Sequence, residues 1–267
     1  MFQQPFDFQD ECDALYALLD DRAAADFERV TQFKSWSVND VLVHLHVWNK
    51  AADQALTDPE GFQAYLAALA EGVKKHGAMR GFENEFLPKP RGPELLALWQ
   101  EQYRAMVPRF AEADPKKRVA WAGPDMSVRS SITARLMETW AHGQEIYDVL
   151  GVERVNGDRI KNIAVLGINT FGWTYKTRRE PVPDYMPYVR LTAPSGEIWE
   201  WNEPSDADYV AGPAEAFCQT VTQVRNVADT ALEVVGPVAS DWMSKAQCFA
   251  GAPAEPPLPG ARHRQAA

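Results

Sequence analysis

Apolar positions in the first 150 residues recur every three to four residues, the period of helices that bury one face. From Phe8 to about Arg29, Cys12, Leu15, Tyr16, Leu18 and Leu19 follow this spacing among charges, which predicts one helix. Ser37 is placed to cap a second helix, with Asp40 three residues on in the position of a capping box. That helix, Val38 to Leu56, is strongly amphipathic and stops near Asp58-Pro59. A weaker helical pattern covers Gly61–His76. Gly77–Gly92 carries Gly77, Gly81, Pro88, Pro90 and Gly92 and reads as loop. Pro93 suits the first turn of a helix running to about Ala113. Asp114-Pro115 and Ala122-Gly123-Pro124 bracket another loop. Ser127 or Ser130 then opens a long helix through Leu136, Met137, Trp140 and Ile146, closed by Gly151.

Beyond Gly157 the pattern changes. Arg159–Arg178 still reads as helix, weakened at Gly167 and Gly172, and Pro181, Pro183 and Pro187 form a linker-like stretch. Tyr188–Thr192 and Glu197–Trp201 alternate as strands around the turn Ala193-Pro194-Ser195-Gly196, which predicts a hairpin. A helix at about Pro213–Val227, a strand at Ala231–Val235 and a helix at Val238–Phe249 complete a small α+β unit. The expected plan is a helical bundle over residues 1–180, an α+β domain over 187–250 and a disordered Pro- and Ala-rich tail over 251–267.

Composition narrows the class. With 267 residues, 46% hydrophobic content and nine Trp, the chain has material for a core, which excludes wholesale disorder. A formal net charge of −10 argues against a nucleic-acid or anionic-membrane surface, since binding phosphates needs clustered Lys and Arg. No apolar run approaches the roughly 20 residues of a membrane span, and the acidic N-terminus does not read as a signal peptide. Three cysteines (Cys12, Cys218, Cys248) without CxxC spacing fit a reducing cytoplasm and form no zinc cage. The cluster Lys176-Thr177-Arg178-Arg179 reads as a solvated helix end. GxSxG, GxxxxGK[ST] and GxGxxG signatures are all missing.

Candidate chemistry therefore rests on five histidines. His263 falls in the tail and His76 at the start of a Gly-rich loop. His44 shares a helix face with Val41, Leu45 and Trp48 and points inward. His46 lies about 200° around the same helix, so the pair does not ligate one ion from a regular helix. Glu138 and His142 sit one turn apart on one helical face, where a carboxylate and an imidazole can share a metal. With one inward histidine from another helix they make a two-His, one-carboxylate set that leaves a fourth zinc position open. The same set suits Ni, Co or Fe. Taken alone, the spacing fits equally a surface ion pair beside a satisfied core histidine.

The segment Trp36-Ser-Val-Asn-Asp-Val-Leu-Val-His44-Leu resembles the N-terminal metal-binding motif of the DinB-like superfamily, in particular its mycothiol-dependent maleylpyruvate isomerase branch. Arg135-Leu-Met-Glu138-Thr-Trp-Ala-His142-Gly-Gln is similar to that branch's E-x-x-x-H helix. Leu191-Thr-Ala-Pro-Ser-Gly-Glu, Phe217–Arg225 and Asp229-Thr-Ala-Leu resemble a subgroup with a sterol-carrier-like C-terminal domain. The resemblance implies an N-terminal up-down helical bundle with His44, Glu138 and His142 as ligands of a divalent metal, most often zinc. It also implies a low-molecular-weight thiol cofactor such as mycothiol, bacillithiol or glutathione. Arg225 is implied as a catalytic residue holding a substrate carboxylate. The expected function is metal- and thiol-dependent isomerisation or S-transfer on a small electrophilic carboxylate-bearing substrate in the cytoplasm. Metal-assisted hydrolysis or lyase chemistry without thiol, and a non-catalytic protein binding metal and an apolar ligand, are the alternatives. His46, Asn49 and Lys50 depart from the pattern of many relatives, so the branch's own substrate does not carry over.

Overall fold

The computed structural model describes residues 1–266, which form two compact units, Met1–Gly151 and Val152–Ala266. In the first, α1 (Gln4–Leu19), α2 (Val38–Thr57), α5 (Pro93–Glu112) and α6 (Val128–Leu150) close a ring: α1 and α2 each pack on both α5 and α6. Phe8, Leu15, Trp99, Tyr103, Phe110 and Trp140 are fully buried in its core. Two further helices, α3 (Pro59–His76) and α4 (Met79–Phe86), lie against α2. A two-residue ribbon, β1 (Arg118–Val119) with β2 (Met126–Ser127), leads into α6.

In the second unit, α7 (Lys161–Asn169) and α8 (Phe171–Arg178) precede a four-stranded sheet. Strands β3 (Tyr188–Thr192), β4 (Ile198–Trp201), β5 (Tyr209–Pro213) and β6 (Glu233–Val235) take the order β4-β3-β5-β6. The predicted hairpin is present, with Leu191 opposite Trp199, whereas β3 and β5 run parallel. Helices α9 (Ala214–Val221) and α10 (Pro237–Met243) complete it, with Phe217 and Trp242 packed edge to face. The fold is thus a helical unit followed by an α+β unit.

Several expectations need correction. The first unit ends at Gly151 rather than near 180, because α7 packs on α9: Gly167 lies so close to Phe217 and Val221 that a methyl there would crowd both. Helix α1 stops at Leu19, where Asp20 and Asp21 meet the negative end of the helix dipole. Residues 77–92 are not simply loop: Gly77 ends α3 in the left-handed conformation and α4 follows. Residues 159–178 break at Thr170, whose hydroxyl donates to the Leu166 carbonyl. The C-terminal residues are not disordered. Their backbone is bound by Gln247, Asn226 and Asp229, which contact Ala254, Pro257 and Gly260 at 2.8–2.9 Å. The last residue of that expected tail, 267, lies outside the described residues. No helix among the described residues is long and apolar enough to cross a membrane.

Candidate metal centre

The expected capping box forms at the start of α2. The Asp40 N–H donates to Ser37 Oγ at 3.1 Å, and the Ser37 N–H donates back to Asp40 Oδ2 at 2.9 Å. This fixes the first turn, and His44 follows one turn later on the side facing α6. From α6, Glu138 and His142 project at i and i+4 toward it. Glu138 Oε2 lies 3.3 Å from Nε2 of each histidine. One donor atom from each of the three residues lies within 4.8 Å of the others. Side-chain exposures of 12% for the histidines and 21% for Glu138 leave the group shielded yet reachable.

A fourth residue, not selected from the sequence, holds the first ligand in place. Glu83 on α4 is buried, and its Oε1 accepts from His44 Nδ1 and from Trp48 Nε1, both at 2.7 Å. The carboxylate therefore takes the Nδ1 edge of the imidazole and leaves Nε2 directed at Glu138. Aromatic rings pack around the other ligand. Trp36 stacks on His142 at 5.7 Å between centroids, and Phe33 meets it edge-on at 5.0 Å.

Ionisation follows from these contacts. Burial opposes a charge on His44, but Glu83 and Glu138 outweigh it and raise its pKa to about 9. Burial pushes the Glu138 carboxyl up, while hydrogen bonds from His142 and His44, with Arg135 nearby, hold it well below the usual carboxylate range. His142 is lowered by burial and by the neighbouring His44 charge, against the pull of Glu138. In the absence of an ion the cluster is thus a charged His44, an ionised Glu138 and a neutral His142 at neutral pH.

The residues present fit a divalent cation. Two imidazoles and a carboxylate match the preferred zinc donors, and ligands about 2.0–2.1 Å from a tetrahedral ion stand roughly 3.3 Å apart. Both histidine–carboxylate separations have that value. A carboxylate on the remote nitrogen of a ligating histidine is the usual outer support of such sites.

The other histidines stand apart. His46 faces away from the cluster, buried, with its pKa pushed down to about 4 mainly by burial, and its Nδ1 has no hydrogen-bond partner among the described residues. His76 contacts Glu85, and His263 Nδ1 lies 3.2 Å from the Gly260 carbonyl. Arg225 belongs to the second unit, just after α9. It is buried, donates to the Val224 carbonyl at 3.2 Å and acts electrostatically on Glu215. All three cysteines are buried, and none forms a disulfide among the described residues.

A helical unit presenting two histidines and a carboxylate at the meeting of two helices defines the class: a DinB-like protein with a candidate metal centre. Within it the chain belongs to the mycothiol maleylpyruvate isomerase N-terminal domain family, whose model matches residues 8–147. Two uncharacterized proteins of Mycobacterium tuberculosis, from strains CDC 1551 / Oshkosh and ATCC 25618 / H37Rv, are each 34% identical over 247 residues. The match spans 92% of this chain and 95% of theirs. Two crystal structures share the fold at 14% identity. One, of the mycothiol-dependent maleylpyruvate isomerase, has a TM-score of 0.53 over 84% of this chain and 88% of that one. The other, of a histidine-to-alanine mutant of that enzyme, reaches 0.56 over 88% and 95%.

Proposed function

We propose that this protein is a divalent-metal-dependent enzyme that uses a low-molecular-weight thiol to isomerise, or transfer sulfur to, a small electrophilic carboxylate-bearing substrate. The observation that carries the reading is the convergence of His44, Glu138 and His142 with Glu83 behind His44. In this reading those three residues hold the ion, with zinc favoured by the donor set. When bound, such an ion supplies Lewis acidity that favours the deprotonated form of an approaching thiol near neutral pH.

The chain's own residues do the rest. Glu83 keeps a proton at His44 Nδ1, so that loss of the Nε2 proton makes that nitrogen a donor facing Glu138. Glu138 places a full negative charge between the two imidazoles. Trp36 and Phe33 shield His142 from bulk water, which strengthens electrostatics inside the group. No cysteine is exposed, so the nucleophilic sulfur comes from a cofactor; mycothiol is the thiol supported by the structural neighbours. Cysteines kept out of disulfides also favour a cytoplasmic location. For the second unit the reading assigns Arg225 the holding of a substrate carboxylate, on resemblance alone.

The test is a thiol-consumption and isomerisation assay on zinc-loaded protein, with mycothiol or glutathione and maleylpyruvate-like electrophiles. Turnover that needs both zinc and thiol is expected, with a raised KM in Arg225→Ala. Zinc-loaded wild type that neither consumes thiol nor isomerises the electrophile contradicts the reading. An unchanged KM in Arg225→Ala removes that residue from it.

A further inference from the structure

One buried cation in the first unit has hydrogen-bond donors left unmade. Arg135 sits on α6 three residues before Glu138 and is only 4% exposed. Its Nε and Nη1 are fully buried and make no hydrogen bond among the described residues. It lies over the Trp121 ring in a cation–π arrangement, with Cζ 5.3 Å from the ring centre. Burial lowers the guanidinium's pKa, the expected mark of a desolvated charge. Among the described residues no carboxylate forms an ion pair with it. Glu138 acts on it electrostatically without bonding to it, and donors left unmade on a buried charge are strongly unfavourable, so the group calls for an anion that accepts from them.

A second orphan donor lies in the same neighbourhood. The Tyr65 hydroxyl is buried without a partner, and its ionisation is affected by both Arg135 and Glu83. Ring contacts connect this region to the metal cluster: Tyr65 meets Trp48 at 6.1 Å, and Trp48 meets Trp121 at 5.5 Å and His44 at 6.3 Å. Two unsatisfied donors, one charged, thus share an aromatic wall with the candidate ligands.

We propose that Arg135 and Tyr65 receive the carboxylate of a small anionic ligand beside the metal cluster. The orphaned guanidinium N–H groups donate charge-assisted bonds to the carboxylate oxygens, and the Tyr65 hydroxyl donates a further one. The aromatic wall of Trp48 and Trp121 suits the unsaturated carbons of such a ligand. This gives the substrate class proposed above a carboxylate contact additional to the one assigned to Arg225, and rests on that reading for the ligand's identity. Carboxylate binding itself needs neither thiol nor turnover.

The experiment is calorimetric titration of the full chain with maleate and, separately, with dimethyl maleate, each with and without zinc, alongside zinc uptake. Maleate is expected to bind saturably and the neutral diester not to bind. Arg135→Met should weaken maleate by about tenfold or more, and Tyr65→Phe by a smaller factor, while both keep wild-type zinc uptake. Arg135→Lys and Tyr65→Phe carry the comparison if Arg135→Met does not fold. The proposal is overturned by absent maleate binding, by equal binding of the diester, or by maleate affinity indifferent to these substitutions. Loss of zinc uptake together with maleate binding in every variant also overturns it, because Arg135 then only positions Glu138. Arg135-dependent maleate binding by a protein that takes up no zinc preserves this site and defeats the metal reading instead.

Discussion

His44 faces opposite demands from protons and from a metal, and the two separate with pH. Its pKa of about 9 in the folded, ion-free protein lies above the ordinary 6.5, because Glu83 and Glu138 outweigh burial. A raised pKa contributes stability that is fully present below about pH 6.5 and is lost as pH rises toward 9. A metal, by contrast, needs Nε2 unprotonated, so its affinity grows over the same range. Metal-free protein is therefore expected to melt progressively lower from pH 6.5 to 9 while zinc binds progressively tighter. Glu83→Gln should flatten both trends and weaken zinc by about 10–100-fold. Thermal melts and chelator-competition titrations check this; a zinc affinity independent of pH counts against it. At this scale the sequence was informative where helical spacing carries the chemistry. Glu138 and His142 stand one turn apart, and His44 lies on an apolar face. Glu83 was hidden because it sits in a short helix between glycines, where only the Phe82/Phe86 spacing hints at structure. Arg135 reads as an ordinary polar helix position, since Trp121, which helps to cover it, comes from a loop before α6.

Elements transmit that chemistry through their ends and their packing. The capping box of α2 sets the entry to the helix that bears His44, so Ser37→Ala removes both the Oγ acceptor and the hydroxyl bond to Asp40. A loss of about 1 kcal/mol in unfolding free energy is expected, read by denaturant titration. No loss would show that the Val30–Ser37 bridge and neighbouring packing fix the turn without the cap. Helix starts of this kind were legible because the signal is local. Breaks driven by tertiary contact were not. Helix α4 exists because Phe82 seats over Gly72, with no room there for a methyl group, and Phe86 meets Tyr65. The hairpin β3–β4 could be read from alternation around a turn. The strand β5 could not, because its parallel partner β3 lies across the whole hairpin in sequence.

For the whole molecule, the fold class was readable because the hydrophobic period changes from helical to alternating after Gly157. The division falls instead at Gly151, since α7 and its companions find their apolar partners downstream, in α9. The C-terminal residues illustrate the limit of composition: Pro and Ala suggest disorder, but distant side chains supply the hydrogen bonds that order them. All four residues of the candidate centre, and both donors of the proposed carboxylate site, belong to the first unit, Met1–Gly151. The central claim is that His44, Glu138 and His142 hold a divalent ion. Its most direct test is the metal content of full-length protein purified without chelator, loaded with zinc and dialysed, compared with His142→Ala. About one zinc per chain in wild type and nearly none in the variant is the predicted result. Wild type far below one equivalent, or a variant that retains the wild-type content, contradicts the assignment.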